Sequence, residues 1–132
     1  MKVVVAAHGR LSEELVKSGR MITEYGEDDF FTLCMTEEKG GESLVAEARE
    51  IYERYQEEEF LLLADFFGAS PCNSCLLAFR GAKYRMVTGV NLAMIVEVMM
   101  NKDISDLESL AKSVEESGKE SIVPVYLGEK EE

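Results

Sequence analysis

The only histidine in this 132-residue chain, His8, closes an apolar run that begins at Val3. A neutral imidazole has a reference pKa of about 6.5, so it is a competent nucleophile near neutral pH. A carboxylate that accepts from one ring N–H would complete it. Such a partner fixes the tautomer, aims the other nitrogen outward and offsets the positive charge that grows as a bond forms. Asp65 ends a second apolar run, "FLLLA" at Phe60–Ala64, and is the candidate for that role. The residues that follow it, "FFGASPCN", add a third contributor. Ser70 reads as a helix N-cap and Pro71 as the first helical residue. A helix N-terminus offers unpaired N–H groups and a partial positive charge, which suit a phosphoryl group. Ser70, with the backbone at Gly9 and Gly68, supplies the candidate phosphoryl-binding positions. With one histidine and no grouped ligands, neither a metal site nor a cofactor is expected.

These residues act together only if the fold joins them. Apolar, β-rich runs alternate with helical patterns along the chain. Strands are expected over Lys2–Ala7, Phe30–Met35, Phe60–Asp65 and Lys83–Gly89. The first helix follows Leu11, with Leu11, Leu15 and Ile22 on one stripe and Gly26 as its stop. The second carries Leu44, Ala48, Ile51 and Tyr55 at helical spacing. The third opens at Ser70, and the fourth is capped by Asn91. The fifth is framed by a Ser105–Glu108 capping box and ended by Gly118. Ser121–Leu127 reads as a last strand, held to an edge by Pro124, which has no ladder donor. The short link before it suggests that it runs antiparallel, and it is a candidate for exchange in a dimer.

This order predicts one α/β domain over residues 1–132: a three-layer sandwich around a mainly parallel sheet of order 2-1-3-4. The first and third strands are the most continuously apolar, as central strands covered on both faces should be. In that order the chain leaves the first and third strands in opposite directions. The crevice at their carboxyl ends is where ligands bind in such sheets. His8 and Asp65 fall at its mouth.

Composition narrows the function classes. Asp and Glu number 26 against 14 Lys and Arg, a net charge of −12. That excess of negative charge argues against nucleic acid and against anionic membranes. No apolar stretch is long enough to span a bilayer, and no secretory signal precedes the first strand. Three cysteines without a disulfide framework fit a reducing cytoplasm. The charged ending, "EKEE" over 129–132, reads as a solvated tail.

Two other chemistries compete. "CNSC" at Cys72–Cys75 would place two thiols near a helix start, but inside its first turn, where buried packing is the simpler reading. A two-component receiver shares the architecture and would use Asp65 as phosphoryl acceptor and Thr88 as switch hydroxyl. Receivers need Mg²⁺ held by acidic residues after the first strand, and here Ala6-Ala7-His8 stand there.

"VVVAAHG", "LLLADFFGASPCN" and "VTGVNLAMIVE", in this order and separation, resemble the enzyme IIA domain of the mannose family of the bacterial phosphoenolpyruvate-dependent sugar phosphotransferase system. The most specific pieces are D-x-x-G-x-S-P-x-N from Asp65 to Asn73 and the "HG" that ends the first strand. The resemblance implies a phosphotransferase that carries a phosphoryl group on His8. The donor would be phospho-HPr, and the acceptor a IIB protein serving a membrane permease that the chain meets only indirectly. Asp65 would hydrogen-bond the histidine, and Ser70 would lie near the phosphoryl site. The family's C-terminal strand is antiparallel and exchanged in a homodimer. Relatives pass phosphate instead to a dihydroxyacetone kinase complex, by the same carrier chemistry. The chain departs from the family pattern at Ala7, at Phe66-Phe67 where Thr-Trp is frequent, at Ala69 and at Ala93.

Overall fold

The computed structural model describes residues 1–128, so the charged ending lies outside the described residues. The elements are β1 (Lys2–His8), α1 (Leu11–Thr23), β2 (Phe30–Met35), α2 (Gly41–Arg54), β3 (Glu59–Ala64), α3 (Ser70–Ala78), β4 (Lys83–Thr88), α4 (Leu92–Asn101) and α5 (Leu107–Glu120), with one 3₁₀ turn over Lys102–Ile104. The four strands form one sheet of order β2-β1-β3-β4. All three ladders are parallel: Val3 lies beside Phe30, Val4 beside Leu62, and Leu62 beside Met86.

The composition of the two central strands explains their place. Val3 to Ala7 and Phe60 to Ala64 have no exposed surface. Only strands covered on both faces can use such uninterrupted apolar runs. Side chains alternate between two cores. Val3, Val5, Leu61 and Leu63 meet Ile95, Val98, Leu110 and Val114 beneath α1, α4 and α5. Val4, Ala6, Phe60 and Leu62 meet Leu44, Ala48, Cys75 and Phe79 beneath α2 and α3. At about 1.5–3 kcal/mol for each fully buried large apolar side chain, these layers hold the carboxyl ends of β1 and β3 in fixed register.

Several expected details differ. The face of α1 that is buried carries Ser12, Val16 and Gly19, whereas Leu11 and Ile22 are exposed. The reason is close packing: a Cβ at Gly19 would come within 2.6 Å of Ile95 Cγ2. Ser12 satisfies its buried hydroxyl by donating to the Leu33 carbonyl at 3.1 Å. Glu24, in a left-handed conformation, closes α1, and not Gly26. Asp106, one residue past Ser105, caps α5 by accepting from the Ser109 N–H at 2.8 Å. Gly118 lies inside α5, where a Cβ would come within 2.8 Å of Met94, and the helix continues to Glu120. Asn91 caps α4 as expected, accepting from the Met94 N–H at 3.1 Å.

Within the single chain the expected last strand pairs with no other strand. Residues 122–126 carry no ladder, and Ile122, Val123, Val125, Tyr126 and Leu127 are all exposed. The longer α5 consumes the link, and Ser121 is tied back to it by donating to the Gly118 carbonyl at 2.7 Å.

Candidate active site

β1 and β3 end side by side, and the last residue of β1, His8, meets Asp65, the residue just past β3. His8 Nδ1 lies 2.8 Å from Asp65 Oδ2, and the His8 backbone N–H donates to the same oxygen at 2.9 Å. Asp65 is itself held in place by its own N–H, which donates to the Ala6 carbonyl at 3.2 Å. One carboxylate oxygen therefore receives two bonds from a single residue. The other oxygen, Oδ1, is buried and has no partner among the described residues. The hydrogen-bonding capacity that Asp65 uses is thus devoted to His8.

The electrostatics follow from this geometry. Burial alone would raise the Asp65 pKa, but the backbone and ring bonds from His8 outweigh it and hold the carboxyl below its usual range. Asp65 is therefore ionised at neutral pH and can only accept. Nδ1 must then carry the proton, which leaves the Nε2 lone pair free. The His8 side chain is 53% exposed, against 13% for Asp65, so the free nitrogen belongs to the accessible partner. The pair combines an aimed, solvent-reachable nucleophile with a shielded anion that stabilises positive charge on the ring.

The other expected site residues play more varied parts. Gly9 has a φ of +60°, which favours glycine, but its N–H is committed to the Met35 carbonyl at 2.7 Å. It turns the chain after His8 and has no free amide to offer. Gly68 has a φ of +84°, and the Ala69 N–H donates to the Phe66 carbonyl at 3.2 Å. A positive φ at the third position only, closed by that bond, makes Phe66–Ala69 a type II turn. Asn73 locks it to α3 by donating from Nδ2 to the Gly68 carbonyl at 2.9 Å.

Ser70 is not the N-cap of α3. Ala69 takes that position with extended backbone and no side-chain cap, and Pro71 lies one residue deeper than expected. The turn ends at Ala69, so the helix starts at once. Ser70 lines an open groove between α2 and α3 with Gly41, Glu42, Val45, Asn73 and Leu77, a groove whose lining does not include His8. Pro71 has no N–H and the Asn73 N–H donates to the Ala69 carbonyl at 3.0 Å, so in the first turn of α3 only the Ser70 and Cys72 amides lack an intrahelical acceptor, and Cys72 is buried.

The thiols are packing residues. Cys72 and Cys75 are buried, and burial pushes the Cys75 thiol up to about 12. A thiol in that state is protonated and unreactive at neutral pH. Cys34 is buried on β2. Sequence reasoning missed two features: the His8 backbone amide as a second tether on Asp65, and Asn73 as the pin of the turn. The Asn that closes D-x-x-G-x-S-P-x-N was the available signal for the second. Among the described residues, no helix is long and apolar enough to cross a membrane.

Comparison with known proteins bears on the fold and the family. The family model EIIA-man, described as "PTS system fructose IIA component", matches residues 2–115. No curated protein sequence matches the chain. Among solved structures, the mannose/sorbose-specific IIA subunit of the phosphotransferase system from Enterococcus faecalis is similar, with 29% identity, a TM-score of 0.89 and 98% of each chain covered. The component EIIA from Streptococcus agalactiae shares the fold at 21% identity and a TM-score of 0.79, with 93% of this chain and 95% of that one covered. So does a putative sugar phosphotransferase system permease from Klebsiella pneumoniae, at 24% identity, a TM-score of 0.77, and 93% and 89% coverage. With a family model matched over most of its length, the chain belongs to the mannose-type IIA family of the sugar phosphotransferase system.

Proposed function

We propose that the chain is a phosphohistidine carrier: Nε2 of His8 takes a phosphoryl group from phospho-HPr and gives it to a IIB protein for sugar uptake. The observation that carries this reading is the double tether of His8 to Asp65, which leaves one ring nitrogen free and exposed. In the transfer, the Nε2 lone pair attacks phosphorus in line. The bond from phosphorus to the donor nitrogen breaks, and the electron pair returns to the donor. The His8 ring keeps its proton on Nδ1 and gains positive charge, which Asp65 stabilises across the 2.8 Å bond. Transfer onward reverses these steps. The work of the protein is positioning and electrostatics. Ser70, with its hydroxyl and its backbone N–H at the start of α3, supplies donors to phosphoryl oxygens. Such a carrier works in the cytoplasm.

Incubation with phosphoenolpyruvate, enzyme I and HPr tests this. It should yield an acid-labile, alkali-stable phosphoprotein that is lost in His8→Ala. Phosphate that survives in His8→Ala would overturn the assignment.

The same reading includes a homodimer. Five apolar side chains between Ile122 and Leu127 are uncovered, and among the described residues the outer edge of β4 carries no partner strand. Such an edge favours pairing with another chain. The segment would lie along β4 of a second copy, hiding both. Sedimentation should give twice the chain mass, and a chain ending at Ser121 should sediment as a monomer. Equal masses for the two would refute exchange.

A further inference from the structure

Directly beyond Asp65, the chain displays two large aromatic side chains to solvent. Phe66 is 69% and Phe67 78% exposed, although the two central strands beside them bury every side chain between Val3–Ala7 and Phe60–Ala64. Their exposure comes from the backbone. Phe66 and Phe67 are the first two residues of the type II turn, and a turn displays its second residue at the apex. Asn73 pins that turn to α3. The pair is therefore held stiffly at the rim of the site, one residue from the carboxylate that grips His8. Leu11, two residues past Gly9, is also exposed.

Resting on the carrier reading above, we infer that Phe66 and Phe67 anchor the phosphoprotein donor as it passes its phosphoryl group to His8. The occupant follows from continuity with the site. A phosphorylated side chain of another protein can reach Nε2 only if its own surface comes down on the surroundings of His8, and the Phe66–Ala69 turn is part of them. Transfer without loss to hydrolysis also requires water to be expelled from around the phosphorus. Exposed aromatic side chains do this well, and they are enriched where proteins meet. A turn already fixed before contact loses little freedom on docking. The complementary partner carries an apolar recess beside its phosphorylated residue. Its surface is basic overall, to match a chain of net charge −12.

The test compares a protein donor with one too small to touch the turn. Phospho-HPr and phosphoramidate are each used to phosphorylate wild type and the Phe66→Ser/Phe67→Ser double variant. Both side chains are exposed, so folding is expected to survive, and thermal unfolding verifies it. The variant should keep the wild-type rate with phosphoramidate. With phospho-HPr its KM should rise at least tenfold while kcat changes little. An unchanged KM would overturn the inference. So would an equal loss with both donors, which would show that the pair acts on the site itself. A change of sedimenting mass in the variant would assign the pair to contact with a second copy and would also overturn it. If wild-type His8 takes phosphate from neither donor, the carrier reading fails, and the docking assignment falls with it.

Discussion

Asp65→Asn should slow phosphoryl transfer to His8 by about ten- to a hundredfold and leave the fold intact. The size of the effect follows from which oxygen the histidine uses. Its backbone N–H and its ring Nδ1 both point at Oδ2, at 2.9 and 2.8 Å. In the asparagine variant the backbone N–H demands an acceptor at that position, so the amide oxygen remains there. The ring then keeps its proton on Nδ1 and its aim. What disappears is the charge. Hydrogen bonds to charged groups contribute about 1.5–3 kcal/mol, against about 0.5–1.5 for neutral ones. The difference, about 1–2 kcal/mol, corresponds to roughly one order of magnitude in rate, rising to two where the site is shielded. A loss near ten-thousandfold is what an inverted tautomer produces in a catalytic triad. Such a loss here would show that the amide had flipped and that the backbone tether does not control it. Single-turnover rates from phospho-HPr separate the two outcomes.

Lys102→Met should destabilise the protein by about 3–5 kcal/mol without touching the site. Lys102 Nζ lies 2.8 Å from Asp29 Oδ2, and the two side chains are only 8% and 9% exposed. Tyr25 donates its hydroxyl to both Asp29 oxygens, at 2.8 and 2.7 Å. Lys102 also donates to the Met1 carbonyl at 3.3 Å, and the Asp29 carbonyl accepts from the Val3 N–H at 3.0 Å. The cluster ties α1, β1, β2 and the turn after α4 together at the amino end of the sheet. Removing the lysine strands a buried carboxylate, and that cost is large relative to a whole stability of about 5–15 kcal/mol. Urea midpoints for Lys102→Met, Asp29→Leu and the double variant provide the measurement. The double variant should recover much of the loss, because neither charge is then stranded.

The same pair sets a pH window. For Asp29, burial acts upward, and the bonds from Lys102 and Tyr25 outweigh it to leave the carboxyl lowered. Its contribution is therefore present above about pH 4 and is lost as acid protonates it. For Lys102, burial acts downward, and its bond and attraction to Asp29 outweigh it to leave the amine raised. Its contribution is present below about pH 10 and is lost as alkali deprotonates it. Between those limits the cluster should contribute a constant amount, so the midpoint difference between wild type and Lys102→Met should be flat near pH 7, and a difference that varied steeply there would contradict it.

What was legible in the sequence was carried by short-range pattern. Uninterrupted apolar runs at Val3–Ala7 and Phe60–Ala64 identify central strands, and a 2-1-3-4 order then puts their carboxyl ends, with His8 and Asp65, at one crevice. Asn91 reads correctly as a cap because capping involves only the next turn. The S-x-x-E spacing singled out Ser105, whereas the observed cap is Asp106, which lacks that spacing and accepts from both the N–H and the hydroxyl of Ser109. Gly118 looks like a helix stop, but it is required by Met94, which lies against it from another helix. The buried face of α1 was hidden for a similar reason, since Ser12 and Gly19 are chosen for closeness to β2 and α4 and not for apolarity. Asp29 and Lys102 have no local signature, because their pairing depends on the finished fold.

The site itself was legible as residue types and not as bonds. Sequence placed the imidazole beside the carboxylate, but it could not show that both bonds converge on one oxygen. It assigned Gly9 and Ser70 by position, and could not show that Gly9 spends its amide on Met35 or that Ser70 starts α3 without capping it.

The most direct test is the location of the phosphorus. The protein is phosphorylated by phosphoenolpyruvate, enzyme I and HPr with its single histidine labelled with ¹⁵N, and its nitrogen and phosphorus resonances are recorded. The geometry predicts phosphorus coupled to Nε2 of His8, with Nδ1 still protonated toward Asp65. Phosphorus on Nδ1, or an acyl phosphate on Asp65, would contradict it.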